Sequence, residues 1–143
     1  MITSCRLTIS CVSPTPPFIP SHAHTCLTRP SHSPSHSRSV LFVSIHRFAK
    51  GFFPESGAHF EVGAGRGLGF TANVPAPLSV GDMEYLAAWE RVVAPLAQAF
   101  APDVVLISAG FDCLKGDPLG GMALSPGTYP HSHSHSHFHS LFR

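Results

Sequence analysis

The sequence predicts an α/β fold built on a parallel sheet, and three segments in the middle of the chain carry that prediction. Residues 40–46, Val-Leu-Phe-Val-Ser-Ile-His, form a continuous β-rich, mostly apolar run typical of a strand buried on both faces. A helical pattern follows at 79–100, and a second apolar run lies at 104–108. A strand, a long loop, a helix and a second strand make a crossover unit, in which two parallel strands are joined through a helix.

Only the central region, residues 39–129, has the composition of a folded domain. Residues 1–38 are a low-complexity head rich in Ser, Pro and His, without any acidic residue, and 130–143 form a tail of His and Ser. Such segments bury too little apolar surface to offset the entropy lost on ordering, so we expect both to lack fixed structure. The net charge of +1 gives no field that would favour nucleic acid or an anionic membrane. No apolar run approaches the ~20 residues of a membrane span.

A long loop, residues 47–77, follows the first predicted strand. It is dense in glycine and contains three prolines, which interrupt regular structure. It also carries aromatic surface that free linkers rarely have, so we expect it to pack on the domain and to serve function. The aromatic residues are Phe48, Phe52, Phe53, Phe60 and Phe70.

Residues 79–100 have the pattern of an amphipathic helix. Asp82 can cap the helix or lie in its first turn, and Glu84 is favourably placed near the positive end of the helix dipole. Pro95 lies inside the pattern and is expected to kink the helix or to start a new turn. Apolar side chains at three- and four-residue spacing predict one buried stripe, formed by Met83, Leu86, Trp89, Val92, Val93, Leu96 and Phe100.

The second predicted strand leads directly to a carboxylate. After the apolar run at 104–108, Ala109 and Gly110 precede Asp112, where the strand gives way to a loop. Ligand and metal sites in open α/β sheets lie just outside the carboxyl ends of parallel strands. Asp112 is therefore placed where chemistry is expected.

The glycine-rich segment 63–69 does not indicate a nucleotide-binding loop. Leu68 and Phe70 stand where the third glycine of a dinucleotide motif would be, and no Gly-Lys-Ser/Thr follows. The glycines are better explained by tight turns that need positive φ angles.

Several motifs, in order along the chain, resemble the zinc-dependent histone deacetylases of class II type. The resemblance covers about residues 40–129, only part of a complete catalytic domain, and implies an α/β domain of the arginase and deacetylase type. The motif that carries most weight is Gly-Phe-Asp at 110–112, followed by Gly-Asp-Pro-Leu-Gly-Gly at 116–121. Upstream lie Val-Ser-Ile-His-Arg-Phe at 43–48, Gly-Phe-Phe-Pro at 51–54, Glu-Val-Gly-Ala-Gly-Arg-Gly at 61–67 and Asn-Val-Pro at 73–75.

The resemblance implies roles for five residues. Asp112 corresponds to the aspartate that binds the catalytic zinc ion, Zn²⁺. Phe53 corresponds to the aromatic residue that forms one wall of the acetyl-lysine channel, and Leu119 to an apolar residue at the channel rim. Ser44 and Ile45 correspond to positions that help to bind a structural monovalent cation, K⁺.

The other parts of the family's catalytic machinery have no counterpart in this sequence. They are two zinc ligands from an Asp-x-His segment, a His-His pair that transfers protons, and a tyrosine in a glycine-rich loop. Hydrolysis of an amide by zinc needs three protein ligands, a general base and a donor to the oxyanion. No residue of this chain is therefore assigned a catalytic role, and we expect the chain to be inactive alone.

The function implied by the resemblance is that of a fragment of a lysine deacetylase, a hydrolase of acetyl-lysine amides that acts in chromatin and transcription regulation. A fragment of an acetylpolyamine amidohydrolase and a non-enzymatic truncated or mispredicted product are the alternatives. The implied partner is an acetylated histone or other acetyl-lysine protein, with no sequence-specific contact to nucleic acid and no membrane. The expected location is the nucleus or cytoplasm, or an organelle if the basic, acid-free head is a transit peptide.

Overall fold

The computed structural model describes residues 6–12 and 38–128, which form one four-stranded mixed sheet with a helical layer. The strands are β1 Arg6–Val12, β2 Val40–Arg47, β3 Thr71–Ala76 and β4 Val104–Ala109. Their order in the sheet is β3-β2-β1-β4. β3 is parallel to β2, whereas β1 is antiparallel to both β2 and β4. The α/β class is confirmed, and the sheet is mixed because of β1.

β2 and β4 lie where the two apolar runs predict them, but β3 falls inside the segment expected to be loop. Its sequence, Thr-Ala-Asn-Val-Pro-Ala, has no apolar run and contains a proline. β3 lies at the edge of the sheet, where a proline is tolerated because one side of the strand needs no ladder hydrogen bonds. Tertiary position therefore overrides the local signal against a strand.

β1 departs from the expectation that residues 1–38 lack fixed structure. It pairs along its whole length with β2, and Ile9 and Cys11 are buried in the hydrophobic core. Polar residues alternate with apolar ones along β1, which is the period of a strand with one buried face. The low-complexity composition of the rest of the head conceals this short signal. Residues 1–5, 13–37 and 129–143 lie outside the described residues, so the expectations for the rest of the head and for the tail stay predictions.

The helical layer consists of α1 Asp82–Ala88, a π-helical segment Trp89–Val93 and α2 Ala94–Phe100. Pro95 lies in the first turn of α2, directly after the π-helical segment, so it starts a new turn as one of the two expected alternatives. No helix in the described part of the chain is long and apolar enough to cross a bilayer.

The buried face of the helical layer differs from the predicted stripe. Met83 is 78% exposed, whereas Tyr85, absent from the predicted stripe, is buried in the core. A strict four-residue repeat drifts round an α-helix by about 40° per step. A π-helical turn contains more residues than an α-helical turn, so it compensates this drift. Side chains four residues apart therefore stay on the side of the helices that faces the sheet. The buried side chains are Tyr85, Trp89, Val93 and Ala97, which cluster with residues of β1 and β2.

The segment after β4 returns to the start of α1. The Ala123 N–H donates to the Val80 carbonyl over 2.9 Å, and the Ser125 N–H donates to Asp82 Oδ1 over 2.7 Å. The Thr128 hydroxyl donates to the same oxygen. The bonds from Thr128 and Ser125 lower the pKa of Asp82. Asp82 thus holds the segment that follows β4 against the start of α1. Glu84 accepts a hydrogen bond from the Gly81 N–H at the start of the same helix.

β4 is less buried than its sequence predicts. Val104 is 51% exposed, and Leu106 and Ile107 are also exposed, so apolar side chains reach solvent from both faces of the strand. Among the described strands, β4 pairs with β1 alone and is therefore an edge strand of the described sheet. The described residues therefore leave part of the apolar surface of β4 exposed.

Truncation of Tyr85 tests the observed orientation of the helical layer. Tyr85→Ala removes a buried aromatic ring and is expected to lower the free energy of unfolding by about 3–5 kcal/mol. Met83→Ala, on the exposed side, is expected to change it by less than about 0.5 kcal/mol. Urea unfolding followed by the fluorescence of Trp89, the one tryptophan, measures both variants. Equal costs at the two positions would contradict the orientation described here.

Candidate functional site

The candidate site lies along the edge of the sheet that is formed by the carboxyl ends of β2 and β4. Both strands run antiparallel to β1, so their carboxyl ends and the start of β1 share this edge. Arg6 of β1 is paired with His46 of β2, and Gly110, just past β4, donates its N–H to the Arg6 carbonyl over 2.9 Å. This edge brings Arg6, His46, Arg47 and Asp112 into one region, as expected for a site at strand ends.

Asp112 lies in a short 3₁₀ turn, Phe111–Cys113, directly after β4. Its Oδ2 is buried and has no hydrogen-bond partner in the part of the chain that is described. Burial raises the pKa of Asp112, and the nearby charge of Asp117 raises it further. A buried carboxylate oxygen without a partner is costly and is the kind of atom that a bound ligand can satisfy.

Asp117, five residues on, has a different environment. Its Oδ1 accepts the N–H groups of Leu119 and Gly120 over 2.8 and 2.7 Å, and these bonds lower the pKa of Asp117. The bonds fold the 117–120 loop into a turn of the kind that aspartate side chains stabilise. Asp117 therefore holds the loop in shape.

Gly120 packs that loop against the turn that carries Asp112. A Cβ atom placed on Gly120 would lie 1.6 Å from the main-chain oxygen of Asp112. No side chain can be accommodated at that distance, so glycine is required here by close approach of two main chains. The position of the loop and the position of Asp112 are thereby coupled.

Arg47 joins the two loops that follow β2 and β4. Its Nη1 donates to the carbonyl oxygens of Leu119 and Gly120 over 3.2 and 3.1 Å. Its guanidinium carbon lies 3.9 Å from the centroid of the Phe52 ring. Sequence reasoning missed Arg47 as a functional residue. The signal that could have found it is its place as the last residue of β2, directly before the aromatic loop.

The two residues expected to line a substrate channel lie on these loops. Phe53 is 48% exposed and Leu119 is 56% exposed. Phe52 is half-buried, and its ring packs against Arg47. Exposed apolar side chains on loops held together by Arg47 are suitable for the walls of an apolar ligand site. The channel roles of Phe53 and Leu119 stay predictions.

His46 is buried and bonded through both ring nitrogens. Nε2 lies 2.9 Å from the Gly57 carbonyl, and Nδ1 lies 2.9 Å from the Ser44 hydroxyl. A carbonyl oxygen can only accept, so Nε2 carries the proton and Nδ1 accepts from Ser44. Burial lowers the pKa of His46 to about 4, with the charge of Arg6 acting in the same direction. His46 is thus a neutral structural residue with no nitrogen left for a ligand.

The remaining polar residues at this edge form a supporting cluster around His46. Arg6 is buried, and burial lowers its pKa while the charge of Glu61 raises it. Glu61 Oε1 accepts the N–H groups of Gly57 and Ala58 over 2.9 and 2.8 Å. The cluster holds the loop after β2 against the sheet edge.

The proposed monovalent-cation site involves residues inside this part of β2. Ser44 is fully buried with its hydroxyl bonded to His46, and Ile45 lies in the hydrophobic core. A role for these two residues in binding K⁺ stays a prediction.

The described residues do not fit a catalytic zinc ion by themselves. Over residues 6–12 and 38–128, no group of three or more His, Cys, Asp and Glu side chains is placed to hold a metal. Asp112 offers one buried carboxylate oxygen, and both nitrogens of His46 are already bonded. A catalytic zinc site needs three protein ligands, and the described residues do not supply that set.

The histone deacetylase domain matches residues 31–137 of this chain, so the chain belongs to the histone deacetylase family. Histone deacetylase 15 of Arabidopsis thaliana is 48% identical over 95 residues, which are 65% of this chain and 17% of that protein. Histone deacetylase 7 of Homo sapiens is 53% identical over 94 residues, which are 61% of this chain and 10% of that protein.

Solved structures give the same result for the fold. The histone deacetylase Clr3 matches with a TM-score of 0.64 and 42% identity over 67% of this chain. The crystal structure of the HDA15 HD domain matches with a TM-score of 0.65 and 44% identity over 71% of this chain. The match spans 17% of the first structure's chain and 29% of the second's. The chain therefore spans less than a third of each relative.

The buried neutral His46 makes stability depend on pH. Its pKa falls from 6.5 to about 4 on folding, so between these values the unfolded chain binds more protons than the folded one. The free energy of unfolding is expected to be full above pH 6.5 and to fall by about 3 kcal/mol as the pH drops to 4. Urea unfolding at pH values between 7 and 4 measures this loss.

Two variants separate His46 from the other titrating groups. His46→Gln removes the titration and is expected to flatten the pH dependence over this range. His59→Gln, the same substitution at an exposed histidine, is the matched control. An unaltered pH dependence in His46→Gln would show that His46 is not the group responsible.

Proposed function

We propose that this chain supplies the zinc-aspartate part of a zinc-dependent lysine deacetylase domain of class II type. In its complete form such a domain hydrolyses acetyl-lysine amides in histones or other proteins of the nucleus or cytoplasm. The observation that carries the proposal is the buried oxygen of Asp112, without a hydrogen-bond partner among the described residues, at the carboxyl end of β4. Membership of the histone deacetylase family supports it.

The contrast between two aspartates supports Asp112 as the metal-binding residue. One carboxylate oxygen of Asp117 accepts hydrogen bonds from two main-chain N–H groups, which is a structural role. Asp112 has a buried oxygen and a raised pKa, so its carboxylate lacks a stabilising counter-charge within the described residues. A divalent cation supplies such a charge, and aspartate oxygen is an accepted ligand of zinc.

The exposed side chains of Phe53 and Leu119 support a proposed apolar channel beside Asp112. The main chain of the Leu119 loop packs on the Asp112 turn through Gly120, and Arg47 connects that loop to Phe52, the neighbour of Phe53. An acetyl-lysine side chain is an apolar stem that ends in an amide, so apolar walls leading to a polar end suit it.

The isolated chain is expected to lack deacetylase activity. One ligand cannot hold a catalytic zinc, and the sequence has no counterpart of the general base or of the oxyanion donor. Purified 143-residue chain, supplied with zinc, is expected to release no more acetate from an acetyl-lysine peptide than buffer does. A complete class II deacetylase serves as the positive control. Turnover that a hydroxamate chelator blocks would overturn this expectation.

A hybrid enzyme tests Asp112 independently of what this chain lacks. Residues 40–129 replace their counterpart in a complete class II deacetylase, which supplies the missing ligands and base. We expect the hybrid to be active and Asp112→Ala to abolish activity and lower the zinc content, because a charged oxygen ligand is lost. Peptide deacetylation and metal analysis of the purified hybrid measure the two effects.

Asp117→Ala is the matched control in the same hybrid. It removes a carboxylate five residues away that holds the loop, so activity can decline while the zinc content is retained. If Asp112→Ala kept the zinc content and rate of the parent hybrid, Asp112 would not be a zinc ligand and the proposal would fail.

A further inference from the structure

We infer that Arg47 is a positioning residue that fixes the two loops of the proposed acetyl-lysine channel relative to each other. The inference rests on the proposed function, because that function assigns Phe53 and Leu119 to the channel. Arg47 itself ends β2, and its guanidinium contacts both loops. It acts through those loops, with no contact to the reacting atoms assigned to it.

The first contact sets the main chain of the Leu119 loop. Nη1 of Arg47 donates to two consecutive carbonyl oxygens, those of Leu119 and Gly120. Hydrogen bonds from an ionised donor are stronger than neutral ones. Two bonds to neighbouring carbonyls also restrict the rotation of the peptide between them, which restricts the direction of the Leu119 side chain.

The second contact sets the loop that carries Phe53. The guanidinium of Arg47 lies over the face of the Phe52 ring, 3.9 Å from its centroid. A planar guanidinium can donate hydrogen bonds from its rim while its face stacks on an aromatic ring. A lysine ammonium cannot do both in the same way, so this geometry is specific to arginine.

The contacts of Arg47 with Leu119, Gly120 and Phe52 are called the clamp below. Two glycines make room for this clamp and connect it to Asp112. A Cβ atom on Gly121 would lie 2.5 Å from Arg47 Nη1, and Gly121 also has a positive φ of 66°. Its neighbour Gly120 accepts from Arg47 and packs on the main chain of Asp112. Arg47 is therefore linked through one loop to both the proposed channel rim and the proposed zinc ligand.

Hydrogen exchange in the full 143-residue chain tests the clamp directly. Arg47→Met removes the hydrogen bonds and the charge, so amide exchange is expected to rise about tenfold in both loops, residues 50–56 and 116–121. Arg47→Lys keeps the charge but loses the planar stacking, so a smaller rise in both loops is expected. Arg66→Met, at an exposed arginine, is the matched control and should leave both loops unchanged. Faster exchange in only one loop, or in neither, would overturn the inference.

Kinetics of the hybrid deacetylase connect the clamp to the channel. Arg47→Met is expected to raise KM for an acetyl-lysine peptide about tenfold, with a smaller fall in kcat and an unchanged zinc content, because substrate positioning is lost and the metal is kept. Arg47→Lys is expected to recover part of the KM. A general loss of folding would instead lower the zinc content and kcat together.

Phe53→Ala in the same hybrid separates the two proposals. If it leaves KM unchanged, Phe53 does not line the channel, and the channel assignment fails together with the inference that depends on it. If Phe53→Ala raises KM and Arg47→Met does not, the channel stands and the role of Arg47 is refuted. A rise in KM for both variants, with the exchange result above, supports the clamp.

Discussion

The pairing of β1 with both β2 and β4 is the constraint on which the rest of the structure depends. β1 lies between these strands and is antiparallel to each, so β2 and β4 run in the same direction and end at one edge. No described ladder joins β2 to β4 directly. Without β1, Arg47 at the end of β2 and the loop that carries Asp112 would not be held side by side, and the contacts that link them would lose their support.

β1 also determines the electrostatics of that edge. It places Arg6 in the sheet opposite His46, where burial and the Arg6 charge keep the histidine neutral. Glu61 compensates part of the cost of burying Arg6 and holds the Gly57 turn that accepts from His46. A charge buried in a protein must be paired or neutralised, so removal of one of these groups destabilises the others.

The site therefore has two parts that serve different purposes. Hydrogen bonds connect Ser44, His46 and Glu61 through the main chain of Gly57 and stabilise the loop after β2, and Arg6 interacts electrostatically with His46 and Glu61. Asp112 is the group left with a buried oxygen without a partner in the described part of the chain, and Arg47 links its loop to the aromatic loop. Family membership explains the motifs, and the chain spans less than a third of each relative, so the proposed zinc ligand Asp112 has no companion ligands among the described residues.

The sequence by itself determined the α/β class, the strands β2 and β4, the helical layer and the place of Asp112 after β4, because local apolar patterns and an ordered set of motifs carry this information. It did not reveal β3 or β1, since an edge strand with a proline and a short alternating strand in a low-complexity head gain their stability from partners distant in sequence. The buried side of the helices was predicted in part: Trp89 and Val93 are buried as expected, whereas Tyr85 is buried instead of Met83, because the π-helical turn shifts the face that meets the sheet. Only the tertiary structure decided that His46 is neutral and hydrogen-bonded through both ring nitrogens, and that Arg47 bonds to Leu119, 72 residues later in the chain, since burial and hydrogen-bond partners exist only once the chain has folded.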